Sequence, residues 1–290
     1  MARTTKSAIS PVGKVVAITG GARGIGRATA EAFLDQGAKV AIGDVDAELA
    51  EKTAAELGAK PGAEIIGLPL NVTDRASFAS FLDDAEQQLG SLDVVVNNAG
   101  IMPTGLLADE ADSMTDRIID INLRGVITGS KLAAARFTPR GSGAIVNIAS
   151  LAGVTGYPGL ATYCGTKHAV LGFTESLYGE LHDTGVTVSA VLPGVVRTEL
   201  SAGAKVPKWA EGITTVDPSD VARAVVTAFT TGKPRVVVPK SAAGMLKSMS
   251  LMSTRAKYKV ARALKFDVTF TQADPAARAA YHRRISGDKQ

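Results

Sequence analysis

Cysteine is almost absent: Cys164 is the single one in 290 residues. One thiol excludes an internal disulfide and leaves no cysteine cluster for zinc. Aromatic residues are scarce too, at 5%, with Trp209 the lone tryptophan. With so few rings interleaved among basic side chains, a stacking surface for nucleic acid is lacking, and no nucleic-acid partner is expected. No apolar run reaches the ~18 residues of a membrane-spanning helix. Residues 1–11 hold no apolar stretch of signal-peptide length, so the reading expects cytoplasmic residence. Repeats and low-complexity tracts are also missing.

What remains is 46% hydrophobic content, enough to fill the core of one large α/β domain. Short apolar runs rich in β-branched residues occur at 15–19, 40–43, 64–68, 94–96, 144–148, 187–192 and 235–238. Stretches with helical spacing fall between them, near 24–36, 46–57, 74–89, 112–136, 160–183 and 217–231. Alternation of this kind predicts right-handed βαβ crossovers and a doubly wound parallel sheet of Rossmann type. In such sheets ligands bind beyond the carboxyl ends of the strands.

The glycine turn, Asp44, Asn97, Ser150 and Pro193 fall at such ends. The run Thr19-Gly20-Gly21-Ala22-Arg23-Gly24-Ile25-Gly26 follows the first strand and opens a helix. Glycine there admits a pyrophosphate close to the backbone, and the helix start offers free N–H groups and a positive dipole end. Asp44 ends the second strand, placed to bind the adenosine ribose hydroxyls and to repel a 2′-phosphate. This favours NAD over NADP, although Arg23 pulls toward the phosphate; the plainer role for Asp44 is to cap the following helix. Tyr163 and Lys167 stand four residues apart, hence on one helix face. A fixed cation beside a phenol favours the phenolate, which suits proton transfer, and Ser150 arrives from a neighbouring strand end to hold a substrate oxygen.

On these motifs the chain resembles the short-chain dehydrogenase/reductase family over residues 12–240. The resemblance implies a catalytic set of Asn122, Ser150, Tyr163 and Lys167. Tyr163 would exchange the hydroxyl proton. Lys167 would depress its pKa and bind the nicotinamide ribose, and Asn122 would anchor a water-linked proton path. The cofactor would meet Gly20, Arg23, Gly24, Ile25, Gly26 and Asp44. It would also meet Asn98, Ala99 and Gly100, and the stretch Pro193, Gly194, Val196 and Thr198. Asn71 and Val72 would flank the adenine, with asparagine where the family more often has aspartate. A homodimer or homotetramer through the helices near 112–136 and 160–183 is implied as well, and no metal.

Specificity is expected from 198–216, a long loop carrying Trp209 that reads as a substrate lid, and from 101–111 and 151–160 opposite it. Their apolar lining points to a lipophilic alcohol or ketone, steroid-like or fatty-alcohol-like. The alternatives are a 3-oxoacyl thioester reductase using NADPH, and a non-catalytic nucleotide sensor of the same fold.

The chain's basicity sits in its last segment. Residues 233–290 carry 13 Lys/Arg against three Asp, whereas residues 1–232 carry 19 basic and 25 acidic side chains. Residues 241–290 read as a basic amphipathic extension, with Met245, Leu246, Met249, Tyr258, Val260 and Leu264 among Lys247, Arg255, Lys257, Lys259 and Arg262. It either lies on an anionic membrane surface or packs over the pocket or a subunit interface.

Overall fold

A computed structural model describes residues 9–286, apart from the side chains of 245–247, 249, 250 and 286. Met245, Leu246, Lys247 and Met249, named above, therefore lie outside the described side chains, as residues 1–8 lie outside the described chain.

Strands β1 (Val15–Thr19), β2 (Lys39–Asp44), β3 (Glu64–Pro69), β4 (Leu92–Asn97), β5 (Gly143–Ile148) and β6 (Val186–Pro193) alternate with helices. Two-residue strands β7 (Val195–Val196) and β8 (Thr215–Val216) pair with each other, and β9 (Arg235–Val238) joins the main sheet. The seven-stranded sheet runs β3-β2-β1-β4-β5-β6-β9, and every pairing is parallel. All seven predicted strands are present, each within two residues of its predicted ends.

The β-branched runs form strands because both faces are covered. Val16 and Ile18 of β1 pack with Phe33 of α1 (Gly24–Leu34), Leu57 of α2 (Ala47–Gly58) and Phe229 of α8 (Pro218–Thr231). Val15 and Ala17 turn the other way, toward Phe78 and Phe81 of α3 (Arg75–Leu89), Phe137 of α5 (Gly125–Phe137) and Leu181 of α6 (Ala161–Leu181). A one-residue slip of β1 would exchange these two sets.

The helix predicted over 112–136 is divided. α4 (Asp112–Ile119) passes through a π turn at Asp120–Arg124 before α5. Such turns widen the backbone at functional positions, and Asn122 stands inside this one. The 198–216 segment contains α7 (Lys208–Thr214). Beyond β9 the described residues form three helices rather than one: α9 (Lys240–Ser250), α10 (Thr254–Ala263) and α11 (Pro275–Ser286).

Candidate active site

Strand order reverses between β1 and β4, which opens a crevice at their carboxyl ends. Gly20 leaves β1 with φ +62°, in the left-handed region that glycine tolerates. Gly26 is required by packing, because a Cβ there would stand 2.1 Å from the Gly20 carbonyl oxygen. Asn98, just past β4, secures the turn from the other side. Its Nδ2 donates to the carbonyls of Thr19 at 2.8 Å and Gly20 at 3.0 Å. Thr19 Oγ1 accepts from the N–H groups of Asn98 and Ala99. No side chain caps the first turn of α1, so its N–H groups face the crevice with their hydrogen-bonding capacity available. This cradle fits a dinucleotide pyrophosphate.

Asp44 does not cap α2; Asp46 does, accepting from Leu49 N–H at 3.2 Å. The Asp44 carboxylate instead receives the Ala22 and Asp46 N–H groups, both at 3.2 Å, which fixes it at the crevice edge. Arg23 is drawn aside by Asp46 at 2.7 Å.

The crevice continues into a cavity of about 1660 Å³. Gly20, Arg23, Gly24, Ile25, Asp44, Asn71, Val72, Asn98, Ala99, Gly100, Pro193, Gly194, Val196 and Thr198 line it, together with Ser150, Tyr163 and Lys167. Two expected residues stand behind the wall. Gly26 supports the turn, and Asn122 is fully buried, exchanging hydrogen bonds of 2.8 Å with both the N–H and the carbonyl of Ile101. Its amide is thus engaged in holding the strand β4 exit loop against the π turn.

Tyr163 and Lys167 share a face of α6, as their spacing requires, and Ser150 follows β5. Ser150 Oγ accepts from Ala152 N–H at 3.1 Å and stands within hydrogen-bonding reach of the Tyr163 phenol. Burial pushes the phenol above its ordinary pKa, and the Ser150 hydrogen bond is the influence that lowers it. The Lys167 Nζ donates to the Ile148 carbonyl at 2.8 Å and lies 5.7 Å from the centre of the phenol ring. Burial also brings the ammonium itself down to about 8.

The substrate end of the cavity is largely apolar. Met102, Leu160, Tyr163, Cys164 and Phe270 form one buried cluster beside Tyr157. Trp209 stays outside this lining, 55% exposed, with its ring 5.6 Å from that of Phe266. Of the 198–216 segment, Thr198, Leu200, Ser201, Val206 and Thr214 line the cavity. The C-terminal extension supplies a wall that the motifs did not assign. Tyr258, Val260 and Ala261 of α10, Leu264 just past it and the basic Lys257 line the same cavity, with Tyr258, Val260 and Leu264 still partly open to solvent, while Arg255, Lys259, Arg262 and Lys265 are exposed outside the lining. Phe270, Tyr281 and Ile285 are buried against it.

Among known proteins, the family described as short chain dehydrogenase matches residues 14–208. A 2-(S)-hydroxypropyl-CoM dehydrogenase of Xanthobacter autotrophicus is 43% identical over 183 residues, covering 63% of this chain and 71% of its own. A 3-oxoacyl-[acyl-carrier-protein] reductase of Thermotoga maritima is 36% identical, covering 65% and 76%. A 3-alpha-(or 20-beta)-hydroxysteroid dehydrogenase of Mycobacterium bovis is 38% identical, covering 66% and 72%. The crystal structure of a Burkholderia phymatum short-chain dehydrogenase/reductase in complex with NAD superposes with TM-score 0.74 at 27% identity, covering 82% of this chain and 93% of that one. Sequence, sheet order and site converge: this chain belongs to the short-chain dehydrogenase family, oxidoreductases that act on CH–OH groups.

Proposed function

We propose that residues 12–240 form an NAD-dependent dehydrogenase domain for a lipophilic secondary alcohol or its ketone, and that 241–290 form an extension covering the substrate end. The observation that carries this reading is the convergence of Ser150, Tyr163 and Lys167 on a cavity also lined by Met102, Leu160, Leu264, Phe270 and Ile285. Apolar lining of that extent rewards an apolar body and offers little to a sugar or a small acid. A hydroxysteroid enzyme among the relatives supports the substrate class.

The nicotinamide, when bound, supplies the hydride acceptor or donor. Tyr163 exchanges the hydroxyl proton, Ser150 holds the substrate oxygen, and Lys167 holds the ribose hydroxyls. Asn122 positions the β4 exit loop from behind. Cofactor choice rests on Asp44, whose carboxylate would repel a 2′-phosphate in a partly dry site. The Asp46 ion pair keeps Arg23 from serving that phosphate. The complex of the Burkholderia phymatum protein with NAD supports this choice.

Wild type should therefore bind NAD more tightly than NADP. Asp44→Ala should narrow that gap by about tenfold or more, since one like-charge repulsion is removed. A panel of steroid alcohols, long-chain 2-alkanols and 3-oxoacyl thioesters, run with both cofactors, tests the whole reading. Turnover of apolar secondary alcohols with NAD is the expected result. Preference for NADP together with thioester turnover would replace it with the acyl reductase reading.

We also propose assembly through α6. Gly165, Gly172 and Gly179 recur every seven residues on its exposed side, with open space before each. Such a row lets a second helix approach closely. Gly172→Arg should then reduce the oligomer to a smaller species in light scattering, and an unchanged mass would sink the proposal.

A further inference from the structure

Arg278, on α11, is 1% exposed, and among the described residues no carboxylate pairs with it. Its guanidinium is satisfied almost wholly by main-chain carbonyls. Nη1 donates to Leu200 at 2.9 Å and Ala202 at 3.0 Å; Nη2 donates to Met102 at 2.6 Å. Nε donates to His282 Nε2 at 3.3 Å. Those carbonyls belong to two different loops at the cavity, with Met102 and Leu200 lining it and Ala202 next to the lining Ser201. Met102 lies on the loop leaving β4, whereas Leu200 and Ala202 lie on the loop leaving β7. One helical turn on, Tyr281 Oη accepts the Met102 N–H at 2.7 Å, so Met102 is held at both its N–H and its carbonyl. Two further bonds bind the 199–205 loop to the extension, Asp274 N–H to Gly203 O and Lys205 N–H to Thr269 O, both at 2.9 Å.

Burying a cation without a counter-ion is costly, so a side chain that only filled space would be better apolar. What guanidinium adds is a rigid planar fork whose donors diverge at fixed angles. It can hold two backbone segments at a set separation, which neither Lys nor Met can do.

We propose that Arg278, seconded by Tyr281, is a positioning residue that sets the width of the substrate cavity and thereby its size selectivity. The proposal rests on the reading that this cavity receives the substrate. The glycine turn and Asp44 lie on the loops after β1 and β2, whereas Gly100 and Thr198 stand two residues from the clasped Met102 and Leu200, so NAD affinity should respond less than substrate affinity.

The test compares wild type with Arg278→Met, Arg278→Lys and Tyr281→Phe, using NAD and a series of 2-alkanols of increasing length. In wild type, kcat/KM should peak at one length. Arg278→Met should raise KM at that length by about tenfold, leave kcat within about threefold, and broaden the length profile. Arg278→Lys should fall between, since one ammonium reaches fewer of the three carbonyls. The Kd for NAD should change much less than the KM for the alkanol in every variant. Hydrogen exchange gives a second readout without turnover: amides of 199–204 and those of Ile101 and Met102 should open faster together in Arg278→Met. If Arg278→Met does not fold, Tyr281→Phe should still speed exchange at the Met102 amide. Unchanged exchange at both loops, or a length profile identical to wild type, would overturn the proposal. So would an equal loss of NAD affinity, which would mark general destabilisation. If wild type oxidises none of the alkanols, the substrate reading fails, while the exchange experiment still decides the clasp.

Discussion

Tyr163→Phe should keep the fold and the cofactor site yet lower turnover by ~10²-fold or more. The ring is 7% exposed within the cluster of Met102, Leu160 and Phe270, and phenylalanine fits the same space. Only the oxygen hydrogen-bonded to Ser150 is removed. Because burial raises this phenol, its neutral form prevails at pH 7, ready to donate a proton in the direction of ketone reduction. Alcohol oxidation needs the phenolate, so its rate should climb as pH rises, whereas reduction should not. Steady-state rates in both directions, beside NAD affinity from fluorescence titration, check these statements. Near wild-type turnover in the variant would remove Tyr163 from its assigned role.

The sheet was legible in the sequence because its signals are local. Val15 to Ile18 and Val94 to Val96 are apolar without interruption, which only strands covered on both sides require. The glycine turn was legible for the same reason, since positive φ at Gly20 and the contact of Gly26 with Gly20 are short-range demands. Tyr163 and Lys167 needed only a helix between them.

What escaped depends on distance along the chain. Arg278 meets partners 76 to 176 residues away, and nothing in its own neighbourhood marks it as other than a solvated charge. The Tyr281 contact with Met102 spans 179 residues. The C-terminal extension gave a true local signal, amphipathic and basic, but periodicity states only that an apolar face exists. It cannot say that Val260 and Leu264 turn to the cavity beside Tyr163. Trp209 drew attention as the single tryptophan, yet its place is beside Phe266 on the outer side. The π turn at Asn122 left no mark either, because a widened turn follows from tertiary packing against Ile101.

Lys167→Met should have two effects of opposite sign. Turnover should drop by ~10²-fold or more, because the ammonium that holds the ribose and faces the phenol is gone. Stability at neutral pH should rise. Lys167 is 4% exposed, and burial lowers its ammonium from 10.5 to about 8. Between these values the unfolded chain binds the proton and the folded chain releases it. Wild-type stability on this account increases with pH from about 8 to 10.5, and below 8 the full cost of burying the charge is present. Methionine has similar length and removes that cost, against which stands the lost Nζ–H bond to the Ile148 carbonyl, worth about 1 kcal/mol. A net gain of about 1–2 kcal/mol at pH 7 is expected, shrinking toward zero or below near pH 10. Burial keeps the Tyr163 phenol protonated at both pH values in both proteins, so it drops out of the difference. Denaturant unfolding of the two proteins at pH 7 and pH 9.5 measures it. A variant less stable than wild type by the same amount at both pH values would show Lys167 to be a structural donor to Ile148. The cost of a desolvated cation, held in place for its part in the chemistry, would then have no support.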